Sequence, residues 1–242
     1  MSVDMYERRF RQELERLPVF VPNNERDKRV WDMDFPAWRA LFSSMCLFGH
    51  STGYRLPSSD HFFNYCKHAY TNRHPDSARF TSFFEGALLS GMRQRVSVWY
   101  ESGMLETYVY VCLVEAIEDK SKCGIVLYDP RVDWKLKADA IVVAQQKTMR
   151  VNAFVGEPSD RPDIEAHRDV IEHIRKKNTK ESAHWDNAEY DAMREFKISR
   201  TADNMRTVNG VRLFSLASIN HLLGSIYKEA NVVGGWLFPI GK

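Results

Sequence analysis

The sequence of 242 residues lacks the features of a secreted or membrane-embedded chain. It has no basic segment followed by an apolar stretch near its start, and no apolar run approaches the roughly 20 residues that cross a bilayer. It contains only four cysteines, and none of them forms a C-x-x-C pair. We therefore expect a soluble, cytoplasmic protein with reduced thiols and no membrane partner.

Several catalytic signatures are also missing. No G-x-S-x-G segment supports a serine hydrolase, and Gly234-Gly235 lacks the following lysine and helix of a phosphate-binding loop. Residue types that bind zinc are present, but their spacing does not match structural zinc sites: Cys46, His50, Cys66 and His68. The net charge of +2 is too small to indicate a nucleic-acid partner by itself, although the overall balance can hide local basic clusters.

The composition is that of a folded protein, with 44% hydrophobic and 27% charged residues. Apolar residues at helical spacing predict an N-terminal helical arm and linker over residues 1–32 and a helical part over residues 33–102. Helices are predicted from residue 34 to residue 48 and from residue 78 to about residue 92. The stretch from Arg93 to Tyr100 is compatible with an extension of the second helix or with an edge strand. An α/β core is predicted over residues 103–242.

The predicted core begins with a helix from Gly103, whose apolar stripe is typical of a helix packed on a sheet. Three short β-rich runs follow, at residues 124–128, 138–144 and 149–155. Residues 145–148 have the length of a hairpin turn, so these strands should pair antiparallel. The later elements are predicted to be a helix, two strands and a helix: residues 160–177, 196–200, 208–215 and a last helix capped by Ser218. This order predicts an α/β fold with a mixed sheet flanked by helices.

An acid-bearing helix, a strand hairpin that begins with an aspartate and a second helix resemble the core of the restriction-endonuclease-like PD-(D/E)XK nuclease superfamily. The resemblance covers residues 103–177. It implies a DNA partner, a magnesium cofactor, a metal-binding role for Asp139 and a helix glutamate at Glu106. Phosphodiester cleavage needs hard oxygen ligands for a divalent cation, which activates water and neutralises the departing oxygen. Asp133 is a further metal-ligand candidate on that resemblance.

The lysine of this superfamily has no counterpart on the third strand. The acid-x-lysine positions fall near Asn152 and Phe154, so the site is either displaced or inactive. Two lysines are candidates for a displaced site. Lys137 shares a strand face with Asp139, and Lys147 belongs to the predicted turn. The alternative is structural, with these acids and lysines forming a turn and a solvated strand edge.

Basic residues offer a surface for phosphates at Arg93, Arg95, Arg175, Lys176 and Lys177. Basic residues at a helix end also complement the helix dipole, and Glu106 could likewise be a glutamate in the first turn of its helix. The leading hypothesis is a DNA-acting protein, either a magnesium-dependent endonuclease or a catalytically degenerate DNA-binding subunit. The alternative is a non-enzymatic scaffold or adaptor in a phage or mobile-element assembly, with a protein partner or a homo-oligomer.

Overall fold

The computed structural model describes residues 6–31, 42, 55–73, 77–128, 138–154 and 192–240. The chain divides into two compact units by its internal contacts. Unit 1 comprises Met1–Glu7, Tyr108–Arg206 and Phe214–Lys242, and unit 2 comprises Arg8–Thr107 and Thr207–Leu213. The candidate site described below belongs to unit 1.

The described secondary-structure elements of the first half of the chain are helices, as predicted. Its α-helices are α1 (Tyr6–Glu15), α2 (Lys28–Trp31), α3 (Ser59–Arg73), α4 (Ser77–Phe84) and α5 (Leu89–Leu113). A π-helical stretch, Val114–Lys120, continues directly from α5. Ser58 caps the N-terminus of α3, because its hydroxyl accepts a hydrogen bond from the backbone N–H of His61 at 3.1 Å.

Helix α5 differs from the prediction at its start. The stretch from Arg93 to Tyr100 is helical, so the helix begins at Leu89 and not near Gly103. The predicted helix from residue 78 to residue 92 is instead divided, because Gly86 has a φ of +103° and interrupts the helical backbone. Glu106 consequently lies well inside a helix, and its interpretation as a first-turn glutamate is wrong.

A buried group of aromatic rings forms part of the core of unit 2. The ring of Phe42 lies 5.1 Å from that of Phe62 and 6.1 Å from that of Tyr100, both in edge-on arrangements. The hydroxyl of Tyr100 donates to the backbone oxygen of Pro57 at 2.9 Å, which satisfies its one polar group. The aromatic residues of this region therefore serve packing.

Unit 1 contains a four-stranded mixed sheet in the order β1-β2-β3-β4. The strands are β1 (Gly124–Leu127), β2 (Ala140–Ala144), β3 (Lys147–Phe154) and β4 (Arg194–Ser199). The first three pair antiparallel, as predicted, and β4 pairs parallel with β3. Gln145 and Gln146 both have positive φ and form the two-residue turn between β2 and β3. The predicted α/β class and mixed sheet are confirmed.

The predicted strand over residues 208–215 is a hairpin, formed by β5 (Met205–Val208) and β6 (Val211–Phe214) around Asn209-Gly210. Helix α6 (Leu216–Glu229) follows it. Its cap is Ser215 and not Ser218, since the Ser215 hydroxyl accepts from the backbone N–H of Ser218 at 3.2 Å.

Several predicted features lie outside the described residues. They are the helix over residues 34–48 except for Phe42, the helix over residues 160–177, and the candidate residues Asp133, Lys137, Arg175, Lys176 and Lys177. Among the helices that are described, none has the length and apolar character needed to cross a membrane.

The turn between β5 and β6 leads to a prediction about the stability of the folded chain. The side chain of Asn209, at a φ of 49°, donates to the carbonyls of Leu14 and Leu17, each at 2.8 Å. We expect Asn209→Gly to keep the backbone conformation, lose both hydrogen bonds and lower the free energy of unfolding in urea by about 1–3 kcal/mol. Asn209→Ala should cost about 1 kcal/mol more, because alanine disfavours positive φ. A glycine variant as stable as the parent would contradict this account.

Candidate functional site

One face of the mixed sheet carries two rows of neighbouring side chains from β2, β3 and β4. In the first row Ile141 is level with Arg150, and Arg150 is level with Glu195. In the second row Asn152 is level with Lys197. Asp139 continues this second row. The antiparallel register pairs Ala140 with Val151, so the preceding residue, Asp139, is level with Asn152. Partners in register share a face, so the sheet gathers two carboxylates, an amide, a lysine and an arginine.

Glu195 is the centre of this polar group. Its carboxylate accepts a hydrogen bond from the Asn152 amide at 2.5 Å and forms ion pairs with Lys197 at 3.0 Å and Arg150 at 3.6 Å. Partial burial acts to raise the pKa of Glu195, but the Lys197 hydrogen bond and the Arg150 and Lys197 charges outweigh it. The pKa of Glu195 is therefore lowered, and the group is an anion at neutral pH.

Asp139 and Asn152 complete the second row. An Asp139 carboxylate oxygen accepts from the backbone N–H of Ala153 at 2.6 Å, which ties the start of β2 to β3. Asn152 is only 6% exposed, and its Oδ1 atom has no hydrogen-bond partner among the described residues. A buried amide oxygen without a donor is costly, and such groups are often found where a water or ion binds.

The acid-x-lysine sequence missing from β3 is present on β4 as Glu195-Phe196-Lys197. Because β4 lies parallel to β3, Lys197 is level with Asn152, and the Glu195 carboxylate reaches the Asn152 amide. Sequence reasoning missed both residues, since it compared the superfamily pattern only with the hairpin and its neighbouring lysines. The signal that could have found them was the Glu-x-Lys spacing at the start of a predicted strand.

The other predicted catalytic residues are placed differently. Lys147 is the first residue of β3. Its ammonium group donates to the backbone oxygen of Glu229 at 2.5 Å and to the Glu229 carboxylate at 3.1 Å. Lys147 is thus at the opposite end of β3 from Asn152. Glu106 is buried, with 6% exposure, and belongs to unit 2, whereas Asp139 belongs to unit 1.

The two described basic candidates lie on helix α5. The guanidinium group of Arg93 is 4.4 Å from the ring centre of Phe63, and the Arg93 side chain is half exposed. Arg95 is more enclosed, with its guanidinium group 5.6 Å from the ring of Trp31 and 5.2 Å from the ring of Trp99. Arg93 lies at the surface and also pairs with Asp60 at 3.4 Å, while Arg95 is largely used in internal packing.

A second polar cluster of unit 1 was not predicted and is more deeply buried. The Glu7 carboxylate accepts from the Tyr108 hydroxyl at 3.0 Å and also pairs with Arg206. The backbone N–H of Glu7 donates to the Glu115 carboxylate at 2.8 Å. Burial raises the pKa of Glu115, and the negative charge of Glu7 adds to that rise. The long separation of these residues in sequence explains why no local pattern revealed the cluster.

The donor set on the sheet is suited to a hard cation. The described residues include no group of three or more histidine, cysteine, aspartate or glutamate side chains that could hold a metal. Magnesium, however, commonly uses one or two carboxylates and completes its shell with water and substrate oxygens. Asp139, Glu195 and the unpartnered Asn152 oxygen provide that chemistry, so the residues present fit a magnesium ion.

The raised pKa of Glu115 yields a pH-dependent prediction. Because its folded-state pKa lies above the usual value of 4.5, ionisation of this carboxyl destabilises the folded state as pH rises through that pKa. Glu115→Gln keeps an acceptor for the Glu7 N–H without the charge. We expect its free energy of unfolding, relative to the parent, to increase from acidic to neutral pH in denaturant titrations.

The control for this experiment is Glu118→Gln, which removes one carboxylate from the same π-helical stretch. Like Glu115, the Glu118 carboxylate accepts a hydrogen bond from a backbone N–H, that of Val126 at 2.5 Å, so this variant controls for the loss of one negative charge beside such a contact. A Glu115 variant whose stability relative to the parent is constant or falls as pH rises would contradict the assigned burial effect.

No family model, curated protein or solved structure matches this chain. The resemblance to the PD-(D/E)XK nuclease superfamily therefore stays a prediction based on residues and element order. The structure itself shows a polar group of two carboxylates, an amide, a lysine and an arginine on one face of the sheet.

Proposed function

We propose that this chain is a DNA-acting protein with a restriction-endonuclease-like fold and a magnesium-dependent site on the polar sheet face. The observation that carries the proposal is the shared face of Asp139 just before β2, Asn152 on β3 and Glu195-x-Lys197 on β4. Acidic oxygen ligands beside a lysine are the residue types that metal-dependent phosphodiester cleavage requires.

The strand order supports the same proposal. A helix is followed by three antiparallel strands, and a fourth strand joins parallel to the third. This is compatible with the element order on which the superfamily resemblance rests. The difference is that the acid and the lysine come from β4 instead of β3, so the proposed site is a displaced version of the one that the resemblance implies.

Each residue has a role that follows from its chemistry. Asp139, Glu195 and Asn152 would hold the magnesium ion, which when bound supplies Lewis-acid stabilisation of phosphate charge and a more acidic water. Lys197, whose ammonium group lies 3.0 Å from Glu195, would orient that water or neutralise a phosphate oxygen. Arg150 holds the Glu195 carboxylate in place from the neighbouring strand.

One observation favours a second candidate, a catalytically degenerate DNA-binding or adaptor subunit. Glu195 already has three partners within the chain, Asn152, Arg150 and Lys197, and a self-contained network of this kind can be purely structural. In that case the sheet face would be retained for its stability and would bind no metal. The two candidates differ in metal binding and in cleavage.

Cleavage of plasmid and single-stranded DNA in magnesium provides the test of the catalytic proposal. We expect Asp139→Asn and Lys197→Met each to lower the cleavage rate by at least about a hundredfold, because each removes a group that acts on the reacting phosphate or water. Lys147→Met is the matched control. It removes a lysine from the same sheet but from the opposite end of β3, so its rate should stay near that of the parent.

Calorimetric titration with magnesium separates the two candidates. An active or metal-loaded site predicts binding by the parent and weaker binding by Asp139→Asn. Absence of binding heat and of cleavage in the parent would favour the adaptor. Retained cleavage in Asp139→Asn would refute the assigned site.

A further inference from the structure

The segment of residues 235–240 is held by three side chains of unit 1 through its main chain. The Asn220 amide donates to the Phe238 carbonyl and accepts from the Phe238 N–H, both at 2.8 Å. The Trp236 N–H donates to the Ser121 hydroxyl at 2.8 Å, and the Tyr227 hydroxyl donates to the Trp236 carbonyl at 3.0 Å. We call Ser121, Asn220 and Tyr227 the segment site.

This pattern is that of a peptide held through the main chain of alternate residues. Both polar main-chain atoms of residues 236 and 238 are satisfied, while the intervening Leu237 is 45% exposed. Phe238 is 5% exposed and is the apolar anchor of the segment. Main-chain hydrogen bonds with pockets for alternate side chains are a general mode of peptide recognition. The segment site therefore has the properties of a peptide-binding site, filled here by the chain itself.

The connection between helix α6 and the segment is short. The helix ends in a Schellman motif, in which Val232 N–H donates to the Tyr227 carbonyl at 2.9 Å and Asn231 has a φ of 55°. Only Val233 and Gly234 then precede the segment. Val233 is 99% exposed, and Gly234 has a φ of +72° with no atom within 4 Å of a Cβ built on it. These two residues form a hinge held by little besides its own backbone.

We propose that two copies of this chain exchange their 235–240 segments, so that each segment occupies the segment site of the other copy. The same hydrogen bonds and the same Phe238 contacts form in either arrangement, and only the hinge changes from a turn to an extended connection. Exchange of an identical element is a low-cost route to a dimer, and short hinge loops favour it.

The exposed apolar residues favour a second copy as the occupant over an unrelated peptide. Val233, Leu237 and Ile240 are 99%, 45% and 59% exposed. They lie in the hinge and the segment, which are the parts that would cross between copies. An exchanged pair brings two such sets of side chains to the crossing region, where they can cover each other.

The experiment shortens the hinge in the full chain by deleting residues 233 and 234. The deletion removes up to about 7 Å of chain, so we expect it to disfavour the turn that folds the segment back on its own copy while the site of another copy stays within reach. Size-exclusion chromatography with light scattering should show a monomer–dimer equilibrium in the parent and a dimer in the deletion variant, with a dissociation constant lowered at least about tenfold. A monomeric deletion variant would refute the exchange.

Substitutions in the shortened chain then identify the contacts. Asn220→Ala removes the site, Phe238→Ala removes the anchor, and each variant alone should be monomeric. Leu237→Ala is the matched control in the same segment and should remain dimeric. A dimer that persists in both Asn220→Ala and Phe238→Ala uses another surface and would overturn the proposal.

Mixing the Asn220→Ala and Phe238→Ala chains shows that a monomeric variant is not simply misfolded. The first chain supplies an intact segment and the second supplies an intact segment site, so the mixture should form a heterodimer with one exchanged segment. The failure of this mixture to dimerise would count against exchange. None of these outcomes depends on magnesium or on DNA cleavage.

Discussion

The parallel pairing of β3 with β4 is the constraint on which the candidate site depends. It places Glu195 level with Arg150 and Lys197 level with Asn152, and the antiparallel β2–β3 register adds Asp139 to the same row. A slip of one residue would turn Glu195 and Lys197 to the opposite face of the sheet. The site is therefore a property of strand register, and the buried residues of β3, such as Met149 and Val151, fix that register by packing.

The two polar clusters of unit 1 illustrate different uses of charge. Around Glu195, lysine and arginine keep the carboxylate ionised while leaving it partly exposed. Around Glu115, burial and the nearby charge of Glu7 favour the neutral acid. An exposed anion is available to a cation or to solvent, whereas a buried acid contributes mainly to the structure around it. This contrast is the electrostatic reason for placing the function on the sheet face.

The sequence predicted local structure well where a single pattern dominated. The β2–β3 hairpin and the apolar stripe of helix α5 were both found, because alternation and helical periodicity are local signals. The start of α5 was missed, since the stretch from Arg93 to Tyr100 fits either a helix or a strand. The break between α4 and α5 at Gly86 was also missed. Ser218 was predicted as the cap of the last helix, whereas the hydrogen bond from the backbone N–H of Ser218 to the Ser215 hydroxyl identifies Ser215 as the cap.

The site was harder to predict because it depends on contacts between distant residues. Asp139 was predicted as a metal ligand and stays a prediction, and the residues that share its sheet face, Glu195 and Lys197, are more than fifty residues away in sequence. Lys147 was chosen because Gln145-Gln146-Lys147 resembles a Q-x-K variant of the superfamily motif. Only the strand register shows that Lys147 lies at the other end of β3 from Asn152. The buried Glu7–Tyr108–Arg206 contacts join three separate parts of the chain and leave no local pattern.

The measurement that most directly tests the central claim is a titration with manganese followed by amide NMR signals. Manganese is a paramagnetic substitute for magnesium and broadens the signals of nearby nuclei. If Asp139, Asn152 and Glu195 hold the cation, the amide signals of Asp139, Ala153 and Lys197 should disappear first, at less than one equivalent. Signals from these residues that stay sharp while others broaden, or an unchanged spectrum, would contradict a metal site on this sheet face.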